Sequence, residues 1–153
     1  MALSRPKKPY RVRHSVIHGR GVFAARTIRK GSVIVEYRGE RTTWEIVNTR
    51  PDSDPAHPEH TFIFETSDGT VIDAGRRGNA ARWINHSCAP NCDSFEADDG
   101  RVYIEARRTI AAGEELTYDY RLSIEGRITR RIRESYACRC GAPRCRGSLL
   151  KER

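Results

Sequence analysis

Cys138, Cys140 and Cys145 place three thiols within eight residues, spaced C-x-C-x4-C on a stretch that also holds Gly141 and Pro143. Thiols this close suit one metal ion better than disulfides, and the chain's five cysteines are an odd number. Zinc takes thiolates tetrahedrally, and a structural site normally has four ligands. The tail supplies three, so a fourth has to come from elsewhere in the chain: Cys88, Cys92 or a histidine.

A chain of 153 residues predicts one domain. With 37% hydrophobic and 31% charged residues, the core is modest and the surface well solvated. No run approaches the ~20 apolar residues of a membrane span. The opening stretch MALSRPKKPYRVRH lacks the apolar segment of a secretory leader. The expectation is therefore an intracellular protein, in the cytoplasm or associated with the nucleus or chromosome. The formal charge of +8 is uneven. Residues 1–13 hold five basic residues and no acidic one, and residues 126–153 hold nine basic and two acidic. The centre is net acidic, which suits a basic substrate, while the basic ends suit nucleic acid or another polyanion.

Short strand-like runs recur between turn residues. Val12–Ile17, Val33–Tyr37, Val102–Ala106 and Leu116–Tyr120 read as strands, and Thr61–Glu65 and Thr70–Ile72 read as a hairpin about Ser67-Asp68-Gly69. Thr43–Arg50 predicts about two helical turns stopped by Pro51. Residues 51–58 (PDSDPAHP) read as an irregular loop, Gly78–Ile84 as a short helix, and Ile124–Tyr136 as helix-compatible. The class is mainly β.

Three further segments carry chemistry. Asn85-His86-Ser87-Cys88 crowds donors and acceptors, and in extended chain Asn85 and His86 point to opposite sides. A Cys/His nucleophile reading is weak there, because the tail's missing ligand gives Cys88 another role; a polar turn is the plain alternative. Tyr118 and Tyr120, at i and i+2, share one face of a strand and can line a pocket. His18-Gly-Arg-Gly-Val-Phe-Ala24 reads as a turn open to close approach of a ligand.

Taken in order, HGRGVFA at 18–24, EYRGE at 36–40, RWINHSCAPNC at 82–92 and GEELTYDY at 113–120 resemble the SET-domain family of protein-lysine N-methyltransferases. The tail CRCGAPRCRGSL at 138–149 resembles that family's zinc-binding post-SET segment. The resemblance implies several small sheets with a knot-like chain crossing, short helices and a zinc-binding C-terminal tail. It divides the chain into a basic arm (1–9), a SET domain (10–122), a basic connector (123–136) and a post-SET segment (137–153). No cysteine-rich pre-SET run precedes the first block.

The resemblance also implies roles. Gly19, Arg20 and Gly21 offer backbone groups to S-adenosylmethionine. Asn85 and His86 hold it as well, His86 through its backbone, with Phe62, Tyr120 and Leu149 completing the cofactor site. Cys88 becomes the fourth zinc ligand beside Cys138, Cys140 and Cys145, for one structural ion, and Cys92 is left over. Tyr120 is the essential tyrosine; Tyr37 and Tyr118 line the lysine channel. Tyr118 also sits at the family's size gate, which implies mainly monomethylation, some dimethylation and little trimethylation. The implied substrate is a histone or other basic DNA-associated protein. The competing reading is a non-catalytic basic zinc-binding module contacting chromatin or nucleic acid.

Overall fold

The computed structural model describes residues 7–51, 62–122 and 127–151. Most of the 51–58 loop, Thr61, the first residues of the basic arm and the start of the connector lie outside them. Among the described residues no helix is long and apolar enough to cross a membrane.

β1 (Tyr10–His14) and β2 (Arg20–Ala24) form an antiparallel ribbon with Val12 opposite Val22. β3 (Val33–Glu36) and β4 (Glu40–Thr42) follow, then α1 (Trp44–Val47), β5 (Ile63–Glu65) and β6 (Val71–Asp73). A 3-10 turn (Ala80–Trp83) leads to β7 (Asn85–His86), β8 (Cys92–Glu96), β9 (Val102–Ala106), β10 (Thr117–Tyr118) and α2 (Arg130–Ser135). Two three-stranded sheets result, ordered β3-β9-β8 and β4-β6-β5, all antiparallel. β7 and β10 pair in parallel.

β9 is the spine of the core. Val102, Ile104 and Ala106 are buried, while Tyr103 and Glu105 are less so, the period-2 alternation of a strand with one packed face. Its neighbours add Ile34 and Cys92, and Val22, Ile28, Ile72, Ile84, Ile110 and Leu116 close the same cluster. In the β5–β6 hairpin Asp68 accepts from the Thr70 hydroxyl at 2.6 Å and from its N–H at 2.9 Å. Those bonds hold the exposed Asp68 carboxyl at a pKa of about 2.

Three sequence expectations shift. The first strand is Tyr10–His14, not Val12–Ile17, because the Ser15 N–H donates to the Gly19 carbonyl at 2.7 Å and closes the turn earlier. The HGRG stretch is only partly a turn, since Arg20 and Gly21 already pair with His14 and Arg13. The Leu116–Tyr120 run narrows to two paired residues, Thr117 opposite Asn85 and Tyr118 opposite His86, so the Asn-His segment is a buried strand and not a polar turn. α1 keeps the Thr43 cap, whose hydroxyl accepts from the Ile46 N–H, and α2 is shorter than its helix-compatible segment.

Buried Asn91 laces the β7–β8 segment to β10. Its Nδ2 donates to the Glu115 carbonyl at 2.8 Å, and its Oδ1 accepts from the Thr117 N–H at 2.9 Å. Asn91→Ala leaves both backbone groups unpaired, at a cost of about 2 kcal/mol. A thermal midpoint lower by ~4–8 °C is expected for a chain of this size. An unshifted midpoint would show that water replaces the side chain.

Candidate functional site

The sulfur atoms of Cys88, Cys138, Cys140 and Cys145 all lie within 4.8 Å of one another. Cys88 Sγ is 3.7 Å from Cys138 Sγ and 3.9 Å from Cys145 Sγ. A tetrahedron with metal–sulfur arms of about 2.3 Å has edges of about 3.8 Å, so the four thiols fit a zinc ion. Backbone N–H groups also point at the sulfurs, as they do where thiolates carry charge. Cys88 N–H donates to Cys140, Arg146 N–H to Cys88 and Gly147 N–H to Cys145, at 3.3–3.5 Å. Cys92 is elsewhere, fully buried in β8, where burial pushes its thiol up to about 12.

Three residues before Cys88, Asn85 is also buried. Its Nδ2 faces the His18 carbonyl at 3.2 Å, the Arg20 carbonyl at 3.0 Å and Glu115 Oε2 at 2.8 Å. Asn85 therefore ties the Gly19 turn to the chain just before β10. Gly19 adopts φ +40°, and the space its side chain would take is empty, leaving room beside the turn. Gly21 is different. A Cβ there would lie 2.5 Å from Glu115 Oε2 and 2.9 Å from Ser15 Cβ. Its missing side chain admits the bond in which Ser15 Oγ donates to Glu115 Oε1 at 2.7 Å.

His86 points the other way, as alternation on β7 requires. Its Nδ1 accepts from the Tyr120 N–H at 3.0 Å, which assigns the ring proton to Nε2, 3.4 Å from Cys88 Sγ. Burial lowers the imidazole pKa to about 4, so the ring is neutral at pH 7. The side chain thus bridges the thiol cluster and the Tyr120 backbone.

Tyr37, Tyr118 and Tyr120 line one cavity of about 520 Å³, with Phe64, Glu65, Trp44 and Asp119 also in its wall. The Tyr118 and Tyr120 rings are 4.8 Å apart, and Phe64 stands 5.3 Å from Tyr37 and 6.5 Å from Tyr118. The Tyr120 hydroxyl donates to the Ile84 carbonyl. Burial raises all three phenols above their ordinary range, so they stay protonated. They act as hydrogen-bonding groups and not as phenolate bases.

Residues 19–121 match the SET domain family. The chain belongs to the SET-domain family. It is 40% identical over 152 residues to the Candida albicans "Histone-lysine N-methyltransferase, H3 lysine-4 specific", covering 97% of this chain and 14% of that protein. The Saccharomyces cerevisiae protein of the same name is 38% identical over 151 residues, covering 96% of this chain and 14% of the relative. The Drosophila melanogaster "Histone-lysine N-methyltransferase trithorax" is 39% identical over 138 residues, covering 88% and 4%. This chain thus spans a small part of the length of the relatives it matches. The cysteine cluster is consistent with a zinc-binding post-SET tail.

Around the SET blocks, several residues carry the site without having been singled out. Trp83 stands between two of the candidate cofactor residues: Phe62 meets it edge-on at 5.2 Å, and the Arg20 guanidinium lies 5.3 Å over its ring. Arg146 makes a bidentate pair with Asp119 at 2.6 and 3.1 Å, fastening the tail between the two tyrosines of β10 and its continuation. Glu115 and Asp119 lie inside the GEELTYDY block that carried the resemblance, and only their partners, distant in sequence, reveal their work. Leu149 is buried in the tail, its N–H donating to Tyr136 and its carbonyl accepting from Leu122. Among the described residues no hydrogen bond joins it to the Gly19–Asn85 group.

Proposed function

We propose that this chain transfers a methyl group from S-adenosylmethionine to the side-chain amine of a lysine on a histone, with the H3 tail as the first substrate to test. What carries the reading is the convergence of Tyr37, Tyr118 and Tyr120 on one cavity, in a SET-family chain whose named relatives are histone-lysine N-methyltransferases. A histone substrate implies a nuclear or chromatin location. Labelled methyl transfer to an H3 peptide tests it, and no transfer to any lysine of H3 or of other basic proteins would overturn it.

When bound, S-adenosylmethionine supplies a methyl group activated on a sulfonium, so the protein's task is alignment. The Gly19–Gly21 backbone, Asn85, the His86 backbone, Phe62, Tyr120 and Leu149 would hold it. Cys88, Cys138, Cys140 and Cys145 would hold one structural zinc. The incoming lysine must be neutral, yet its pKa in water is about 10.4. Desolvation among the buried Tyr37 and Tyr118 rings and the half-buried Tyr120 ring, beside the sulfonium, would disfavour the ammonium and lower that value. Because the Tyr120 O–H is committed to the Ile84 carbonyl, its lone pairs are left to accept from the substrate amine and orient the nitrogen. Solvent takes the proton before attack, and Glu65 in the cavity wall attracts a basic peptide.

Asn85→Ala frees the Gly19 turn and leaves Glu115 without one donor. The dissociation constant for S-adenosylmethionine is expected to rise at least about tenfold, or ~1.4 kcal/mol. Calorimetric titration measures it, and an unchanged constant removes Asn85 from the site. Tyr118 is the proposed size gate. Displacing a water or hydrogen bond beside its hydroxyl costs about 1 kcal/mol, enough to slow the second and third transfers by roughly fivefold. Tyr118→Phe is expected to shift products from monomethyl- toward di- and trimethyl-lysine with activity retained. Mass spectrometry of a peptide time course decides, and trimethyl-lysine as the main wild-type product refutes the gate.

A further inference from the structure

From Lys7 to Lys30 the chain carries eight Lys and Arg residues and no Asp or Glu. Half of them come from the basic first thirteen residues and half from the otherwise acidic centre, and the fold merges the two. Pro9 and Ala25 are joined by a backbone hydrogen bond of 2.8 Å. Around that junction Lys7, Lys8, Tyr10, Arg11, Ala25 and Arg26 line one hollow of about 470 Å³. β1 is exposed from Arg11 to His14, and Arg11 and Arg13 share a face by their i, i+2 spacing.

Three arginines outside this region are held by carboxylates: Arg50 by Asp73 and Glu40, Arg108 by Glu114, and Arg146 by Asp119. Among the described residues, Lys7, Lys8, Arg11, Arg13 and Arg26 form no ion pair. Clustered like charge without counter-charge is unfavourable in isolation and suits an external polyanion.

The surface also distinguishes among polyanions. Single strands are held by bases stacking on open aromatic faces. Here the two aromatic rings of the ribbon are covered, Tyr10 by Lys8 at 5.9 Å and Phe23 by Arg13 at 5.5 Å. The hollow itself is floored by the aliphatic stems of Lys7, Lys8, Arg11 and Arg26 with Tyr10 and Ala25, and the charged ends of those four side chains stand at its rim. What remains is a set of point charges for phosphates.

We propose that the β1–β2 ribbon face, through Lys7, Lys8, Arg11, Arg13 and Arg26, docks the phosphodiester backbone of double-stranded DNA without reading its sequence. The proposal is independent of the methyl-transfer reading, because none of these residues belongs to the candidate active site.

The test is fluorescence anisotropy of the full chain with a DNA duplex of about 20 base pairs, titrated from about 50 to about 200 mM salt. Five phosphate contacts give a slope of log K against log salt of about −4.5, so affinity falls about 500-fold over that range. In Arg11→Gln/Arg26→Gln the slope is expected to drop to about −2.7 and the loss to about 40-fold. Zinc content and turnover on a short lysine peptide should stay at wild-type values. Equal slopes in wild type and variant overturn the proposal. So does single-stranded DNA or duplex RNA binding as tightly as duplex DNA, or displacement by a polyglutamate peptide at matched charge, which would assign the face to an acidic protein.

Discussion

Tyr120→Phe is expected to lower kcat on a lysine peptide at least about 100-fold, the scale of a misaligned attack. The loss should come without a change in fold. The Tyr120 ring packs edge-on against His86 at 5.4 Å and beside Tyr118 at 4.8 Å, and phenylalanine preserves both contacts. Only the hydroxyl, its bond to the Ile84 carbonyl and its lone pairs toward the cavity are removed. Zinc content and thermal midpoint should therefore stay near wild type, and cofactor affinity should change far less than kcat. The pH dependence adds a second readout. Burial raises the Tyr120 phenol above its ordinary value, so it remains protonated through neutral and mildly alkaline pH. Activity should rise with pH as substrate lysine loses its proton, with no falling limb from Tyr120 ionisation below pH about 10. The variant should keep the rising shape at a lower level. Turnover within tenfold of wild type would show that Tyr120 does not align the amine.

The contrast between Tyr120 and its neighbours illustrates what a linear sequence discloses. The strand Val102–Ala106 was legible to the residue, because three buried and two less buried positions alternate along it. The β5–β6 hairpin was legible through Ser67-Asp68-Gly69, whose turn chemistry is local. β4 (Glu-Arg-Thr) and β8 were missed, since neither has a regular apolar alternation, and so was β7, whose two residues are too few for any period, while β10 was read as part of a longer Leu116–Tyr120 strand. Their parallel pairing depends on contacts across 32 positions of sequence. The same limit applies to the site. Three tail thiols announce an ion, but spacing alone leaves Cys88, Cys92 and the histidines open. The fold brings Cys88 to the tail and seals Cys92 in the core. Glu115, Asp119, Asn91 and Arg146 gain their roles only from partners 24 to 100 residues away.

Removing the metal should have the other large effect, and it should be local. About one zinc per chain is expected, held by Cys88, Cys138, Cys140 and Cys145. The ion would join the end of β7 to a segment 50 residues later, while the core around β9 owes nothing to it. A strong chelator should therefore leave the strand spectrum largely intact and loosen residues 137–151. Two kinds of anchor oppose complete release: the Arg146–Asp119 pair, and the backbone bonds that tie Leu149 and Lys151 to Leu122, the latter at 2.7 Å. Both are weak against a tetrathiolate site, whose apparent binding energy in small zinc modules reaches about 10–16 kcal/mol. The Asp119 carboxyl lies below its ordinary pKa: burial opposes that, but the Arg146 hydrogen bonds outweigh it. Its clasp is thus intact above the usual aspartate range and is lost as pH falls through the depressed value. At neutral pH the apo tail should be half-fastened, cut first by protease yet still close to the core. Loss of the ion also frees Cys88 from its register beside His86, whose Nδ1 holds the Tyr120 backbone. Turnover should accordingly fall more than tenfold on chelation and return with added zinc, and Cys140→Ser should reproduce the loss without rescue. Metal analysis finding no zinc in undamaged protein, or a fully active Cys140→Ser variant, would remove the tetrad from the mechanism.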